Sequence, residues 1–413
     1  MKLWVVLLIA GALHGQAPAP VDPSTLNGKV LLGYQGWFDC PPAGRWRSWS
    51  RGAPTAETLT IDMYPDLSEF AAGDLCAIPE FTIGARPAYL YSAQSSAVVM
   101  AHFRWMQEHG LDGVLLQRFV TNIAGWRAGG DVVLKNVMAA AAKYGRVVAI
   151  EYDVSGADEA KFFAQMQEDW RYLVEDLKIT AQPAYLRHNG KPVLSVWGMG
   201  LAEARHPPVE AEEGARVVRW FRESAPQNLR VTYMGGVPSR WRTGTNDARA
   251  GWESVWAMMD VIQPWTVGRY RDEASADRWK TEFVVKDLAA AAASQQLYMP
   301  VIFPGFSWHN LKRESVMNQI PRLGGKFLWR QAYNARAAGA GMLKIAMFDE
   351  VNEGTAVFKI APTRAQAPDQ GAWLTLDADG LNLPADWYLK LAGAITRTFH
   401  GAAENSPALP SLR

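Results

Sequence analysis

From about residue 30 onward, short apolar runs alternate with longer segments in which apolar positions recur every three or four residues. The apolar runs occupy 30–38, 113–120, 146–153, 192–198, 229–235, 261–267, 297–304 and 342–349. Most are continuously apolar rather than alternating, a pattern that predicts strands covered on both faces. Amphipathic helices are predicted over 98–109, 131–144, 157–178, 209–223, 276–294, 326–338 and 386–400, with a short helix near 251–258. Gly145 and Gly339 stand just past two of these segments as stop signals. Each apolar run is followed by helical material, which predicts parallel strands joined by right-handed crossovers. Repeated eight times, that unit gives an α/β fold, a single (β/α)8 TIM barrel. An open doubly wound sheet is the competing architecture, but its usual glycine-rich phosphate loop does not occur. One stretch, 39–97, breaks the alternation and is rich in Pro, Gly and Ser. Loops of that length are functional or contain small elements of their own.

The ends of the chain read differently from the middle. Lys2 precedes a short apolar run, 3–13, too short to span a bilayer but suited to export. Residues 1–17 therefore read as a signal peptide, 18–27 as a Pro/Ala linker, 28–401 as the barrel and 402–413 as a disordered tail. This organisation predicts a periplasmic or secreted protein with no stable membrane insertion after the signal is removed. There are 2 cysteines, Cys40 and Cys76. An oxidising compartment permits a disulfide between them, and two buried thiols are the equal alternative.

Composition narrows the chemistry. The formal net charge is +1, which lacks the basic footprint of a nucleic-acid partner. With 18 tryptophans in 413 residues the chain is unusually rich in flat aromatic faces. Such faces suit the C–H patches of sugar rings, although tryptophans also fill large cores. Trp37, Trp197 and Trp308 lie near glycine at strand ends, where the sugar-facing role is favoured. Only 7 histidines are present, and no H-E-x-x-H or H-x-H pattern occurs. Gly305-Phe-Ser307-Trp-His309 lacks the second glycine of a serine-hydrolase elbow. Without a dinucleotide or phosphate-loop fingerprint either, no metal and no cofactor is expected.

In a barrel of this kind the active site lies where the strands end at their carboxyl side. The residues delivered there include Tyr34 and Trp37 from the first strand and Gln117 from the second. Glu151 and Asp153 follow from the third, Trp197 from the fourth and Tyr233 from the fifth. Trp265 comes from the sixth, and Trp308 and His309 follow the seventh. The eighth strand runs into Asp349, Glu350, Asn352 and Glu353. Glycoside hydrolysis usually employs two carboxyl groups, one donating a proton to the leaving oxygen, the other acting as base or nucleophile. The D-E-x-x-E cluster after the last strand fits that need, with Glu350 and Glu353 as the catalytic candidates. The aromatic and polar residues above, with Asp349 and Asn352, are the substrate-binding candidates. Glu151 and Asp153 are equally open to a structural ion pair, and His309 to a packing role.

The run FDEVNEGTAVFK, 348–359, resembles the strand-eight motif of glycoside hydrolase families 99 and 71, especially the bacterial 71/99-like, xylosidase/arabinosidase group. LLGYQGWF at 31–38 and PGFSWHN at 304–310 resemble the same group. Family 99 carries approximately N-E-W-H-E-G-T; here Glu350, Glu353, Gly354 and Thr355 match, and Asp349, Val351 and Asn352 depart from it. The resemblance implies a metal-independent retaining glycosidase on a (β/α)8 barrel. It implies Glu350 as base toward a sugar 2-hydroxyl, giving a 1,2-anhydro intermediate, and Glu353 as acid and later base. It places Tyr34 near the reacting sugar. The expected function is hydrolysis of O-glycosidic bonds in a polysaccharide or oligosaccharide. The alternative is a non-catalytic carbohydrate-binding barrel.

Overall fold

The apolar runs become a ring of parallel strands in the computed structural model, which describes residues 19–412 apart from Arg205 and Pro208. The expected signal peptide, 1–17, lies outside the described residues. The barrel strands are β1 (Val30–Tyr34), β2 (Gly113–Phe119), β3 (Val147–Asp153), β4 (Lys191–Trp197), β5 (Thr232–Val237) and β6 (Val261–Pro264). Strand β7 is split into Leu297–Tyr298 and Val301–Ile302, and β8 is Leu343–Ile345. Neighbours pair in sequence from β1 to the first segment of β7, while β8 joins the second segment of β7 to β1. The ring is thereby closed, and the fold is a (β/α)8 barrel. The split falls at Met299–Pro300, and proline has no N–H for the ladder.

The interior is layered by strand register. Gln117 pairs with Glu151, Glu151 with Ser195, and Ser195 with Met234, which defines one layer. Two residues further along, Phe119 pairs with Asp153, Asp153 with Trp197, and Trp197 with Gly236. The side-chain period of two puts both layers on the inner face, one above the other. Glycine at 236 is required there: a Cβ would lie 2.5 Å from Trp197 Cδ1.

Helices cover the outside and differ in detail from the sequence expectation. The helix after β2 starts immediately, as Val120–Tyr144, with a kink at Trp126, and stops at Gly145 in the left-handed conformation. The predicted 157–178 helix becomes Phe162–Arg171 followed by a wider π-type turn, Tyr172–Asp176. The predicted strands at 342–349 and 261–267 shorten because their last residues leave the ladder to form the rim. No described helix is long and apolar enough to cross a membrane.

The stretch 39–97 contains an antiparallel hairpin, Leu75–Ile83 with Arg86–Tyr91. Cys40 and Cys76 form a disulfide that ties this hairpin to the loop leaving β1. The run 18–27 is more engaged than a linker: Leu26 is fully buried, and Pro23 accepts a hydrogen bond from Arg187 N. The expected disordered tail is also attached over its described part, 402–412. Trp329 Nε1–H donates to the Ser406 carbonyl, and Leu409 and Leu412 pack against the core. Both corrections have one cause: a few apolar residues in a short polar segment suffice to dock it on a large preformed surface.

Candidate active site

The last strand hands the chain to a tight turn that carries the acidic cluster. The carbonyl of Glu350 accepts hydrogen bonds from Thr355 N and Ala356 N, closing the turn. Gly354 has φ +63°, and a Cβ there would stand 2.9 Å from Ser307 N, so the turn needs glycine. The side chain of Arg322 supports the turn from below. Its Nη2 donates to the carbonyls of Gly354 and Ala356 at 2.8 and 2.5 Å, and its guanidinium lies 4.4 Å from the Tyr388 ring centre. Burial pushes this guanidinium below its ordinary pKa.

Asp349 precedes the cluster and faces inward. Its carboxylate accepts hydrogen bonds from Gln35 N at 2.7 Å and Gly36 N at 3.0 Å, which fastens the end of β1 to the end of β8. Burial raises its pKa to about 6, and those hydrogen bonds oppose the rise. Asn352 is similarly occupied: Nδ2 donates to the carbonyls of Ser48 and Thr60. It pins the long loop after β1 against the eighth-strand turn. A third anchor is Asp62, which accepts from Ser307 Oγ, His309 N and Asn310 N. Desolvation raises its pKa, against the pull of those donors.

These anchors frame an open cleft over the carboxyl ends of the strands. Glu350 and Glu353 line it together with Asp153, Trp37, Trp197 and Trp265. Gln117 and Asn352 reach it as well. Trp197 and Trp265 meet edge to face at 5.1 Å, and Trp37 stacks on Phe119 at 5.0 Å. Glu350 is nearly buried and Glu353 half-buried. The arrangement offers two carboxyl groups of differing exposure beside aromatic walls.

Other sequence candidates fall elsewhere. Glu151 lies one layer below the cleft, fully buried, with Lys344 Nζ at 2.6 and 2.8 Å and Ser195 Oγ at 2.8 Å. Of the two readings open for it, the ion pair is the one observed. Tyr34 is on the outer side of β1, 2.9 Å from His102 Nδ1 and stacked on Phe348. Burial holds His102 neutral, with its pKa lowered to about 3, and lifts the Tyr34 phenol well above its ordinary value. Tyr233 is fully buried against Phe221, and its hydroxyl is directed to Met199 Sδ. His309 closes a local turn through Nδ1 and the Ser315 carbonyl. Trp308 packs on Phe306 and does not line the cleft. The period-two alternation explains Tyr34 and Tyr233: a residue one step along a strand from an inward-facing one points to the opposite face.

The long loop supplies residues that strand-end reasoning missed. Ser48, Ser50, Arg51 and Thr60 form one wall of the cleft. Arg51 Nη2 donates to the Leu311 carbonyl, joining this loop to the one after β7. The only signal for them was the length of the interruption between the first two barrel units. Among the described residues, no group of three or more His, Cys, Asp or Glu is arranged to hold a metal ion.

Comparison with solved structures finds the same architecture. A GH99 endo-alpha-mannosidase from Bacteroides thetaiotaomicron superposes with TM-score 0.68 and 17% identity over 92% of this chain and 99% of that one. A second structure of that enzyme gives 0.67 at the same identity and coverage. A glycoside hydrolase-like protein gives 0.57 at 14% identity, covering 92% of this chain and 97% of that one. No protein-family model and no curated protein matches the chain. At such identities the likeness speaks for the barrel fold.

Proposed function

We propose that this protein is a glycoside hydrolase that cleaves O-glycosidic bonds of a polysaccharide or oligosaccharide, with Glu350 and Glu353 as its acid–base pair. One observation carries the reading: both carboxylates open into the same tryptophan-walled cleft at the carboxyl end of the barrel. The general likeness to solved glycoside hydrolases supports it. Glu353, the more exposed of the two, is suited to exchanging protons with a leaving oxygen and then with water. Glu350, set deeper, takes the base role, in keeping with the family 99 motif. In that scheme it withdraws the proton of a sugar 2-hydroxyl whose oxygen closes on the anomeric carbon. Trp37, Trp197 and Trp265 would stack against sugar rings, while Asp153, Gln117 and Asn352 face their hydroxyls. The difference at Asp349, Val351 and Asn352 leaves a pentose or glucose polymer open beside mannan. Export to the periplasm or outside the cell is part of the proposal, supported by the amino-terminal apolar run and the Cys40–Cys76 disulfide.

The test is hydrolysis of a polysaccharide panel by the protein and by Glu353→Gln, with product anomers followed by NMR. Loss of hydrolysis in the variant, and retention of configuration in the protein, are the expected results. Sugar binding without hydrolysis in the unmodified protein would instead make it a carbohydrate-binding barrel. Equal activity in the two proteins would reject Glu353 as the acid.

A further inference from the structure

Where β1 and β2 end, the cleft is lined by two glutamines whose amide oxygens the protein does not use. Tyr34 and Leu116 are the last registered pair between these strands, and Gln35 and Gln117 follow them directly. Neighbouring strands lie about 4.8 Å apart, so the two side chains leave the ladder side by side. Gln117 belongs to the inner layer of Glu151, and the alternation from Gly33 puts Gln35 on the same face.

Gln35 is 5% exposed, and its Oε1 has no hydrogen-bond partner among the described residues. Gln117 Oε1 has none either. The Gln117 amide is oriented by its other end, because Nε2 donates to Glu151 Oε1 at 3.4 Å. The Gln35 backbone is fixed in turn, its N–H given to Asp349 at 2.7 Å. A buried amide oxygen is costly to leave unmet, so two side by side in a ligand cleft point to a ligand that brings donors. Both oxygens are closed to solvent as the side chains stand. The terminal torsion of glutamine is soft, and a small turn brings each oxygen up to a ring lying over it.

The surroundings select the donor. An ester or ether brings none, and an N-acetyl group brings one. An ammonium brings three, but the layer already holds the Lys344 ammonium, bonded to Glu151 at 2.6 and 2.8 Å. A second cation beside this pair would meet Lys344 as a like charge. Two adjacent hydroxyls bring one donor each, at a spacing that neighbouring strands can match. Donors for the hydroxyl oxygens come from the cleft walls, where Trp37 Nε1–H has no partner among the described residues and Arg51 presents its guanidinium.

We infer that Gln35 and Gln117 are a specificity-determining pair that reads two adjacent free hydroxyls on one sugar ring, each hydroxyl donating to one amide oxygen. The inference rests on the carbohydrate reading of the cleft and narrows the substrate within it to a glycan unsubstituted at that pair. Where a polysaccharide carries esters or side chains there, an esterase or a debranching hydrolase must act first.

The test uses methyl glycosides of mannose, glucose and xylose, in both anomers, beside their 3-deoxy counterparts. Removing the 3-hydroxyl breaks every adjacent pair on the ring and keeps the 2-hydroxyl on which the proposed chemistry acts. NMR titration of the whole protein gives the affinities. The intact glycoside of at least one sugar is expected to bind about fivefold more tightly than its deoxy form, the factor for one hydrogen bond. Gln35→Met and Gln117→Met each remove one acceptor at similar size. Each should lower affinity for that intact glycoside by a similar factor, and one of them should abolish the discrimination against the deoxy form. Gln35→Met should also leave the unfolding temperature unchanged or raise it, since an apolar group replaces an unmet buried amide. A lower unfolding temperature with unchanged affinity would assign the amide to the fold and overturn the inference. Equal affinity for intact and deoxy forms overturns it as well. Absence of binding by every glycoside removes the inference together with the carbohydrate reading. Hydrolysis of the polysaccharide panel is scored separately. Discrimination without hydrolysis removes the catalytic reading alone, and hydrolysis without discrimination removes the glutamine pair alone.

Discussion

Two layers of the barrel interior, two residues apart along each strand, hold similar side chains and put them to opposite use. In the lower layer, Glu151 is fully buried and fully engaged, bonded to Lys344 and Ser195 while Lys344 also reaches Gln263 Oε1 at 3.0 Å. In the upper layer, Asp153 and Trp197 line the cleft, joined there by Glu350 and Glu353 from the turn after β8. Residue type does not separate the layers. Depth does: in the lower layer the facing strands are close enough to supply a cation, whereas in the upper one they have given way to loops and open space. A carboxylate at the lower level supports the floor, and a carboxylate at the upper level faces the cleft.

Exchanging Glu for Gln in each layer should therefore fail in different ways. Glu353→Gln is expected to reduce hydrolysis by roughly 10²–10⁴-fold, the usual worth of a positioned acid–base group. Its thermal unfolding should stay close to that of the parent. Glu151→Gln is expected to cost about 3–5 kcal/mol of stability, since it leaves the Lys344 ammonium buried without its counter-charge. Denaturant titration checks this, and Glu151→Gln/Lys344→Met should recover most of the loss. If the single Glu151 variant keeps full stability but loses activity, the assignment of the two layers is wrong.

How far the sequence allowed this to be foreseen follows from the same geometry. The eight apolar runs marked the strands, because burial on both faces leaves a continuous apolar trace. Glu350, Glu353, Asp153, Trp37, Trp197 and Trp265 were legible as cleft candidates because each lies near the end of such a run or just past it. Tyr34 and Tyr233 lie in the same runs, but a residue-by-residue apolar strand does not say which face is inward. Glu151 was legible as an acidic strand residue, and its partner Lys344, set among apolar neighbours in β8, was not read as one. Ser48, Arg51, Asp62 and Arg322 stayed invisible for another reason. They act through tertiary contacts between loops with no period of their own, so nothing local distinguishes them from solvated polar residues.

Arg322 allows the upper layer to be tested without touching a cleft residue. Its guanidinium donates to two carbonyls of the turn bearing Glu350 and Glu353. Arg322→Met should loosen that turn and lower kcat roughly 10- to 100-fold, in line with the cost of about an ångström of misplacement. KM should change little, because the tryptophan walls remain. Arg322→Lys, which can still reach one carbonyl, should recover part of the rate. A fall in stability with kcat intact would mean that Arg322 serves the fold alone.

The smallest expected effect concerns Asp349, which joins the β1 and β8 ends beneath the cleft. Its pKa is raised from 3.8 to about 6 in the folded protein. A carboxyl raised in this way binds more protons folded than unfolded between those two values, so its contribution to stability falls as pH rises from about 4 to about 6. The full change is about 3 kcal/mol, using about 1.4 kcal/mol per pKa unit. Asp349→Asn has no such titration, but its amide can accept from only one side and faces the second backbone N–H with a donor. At pH 4 the variant should therefore be less stable than the parent by about 1–3 kcal/mol, the cost of an unmet buried donor. At pH 7 that gap should narrow or reverse, because the parent alone bears the cost of ionising a buried carboxyl. Urea midpoints at the two pH values decide the matter: parallel shifts would show that Asp349 keeps one charge state throughout, and that the tie between the two strand ends is insensitive to protons.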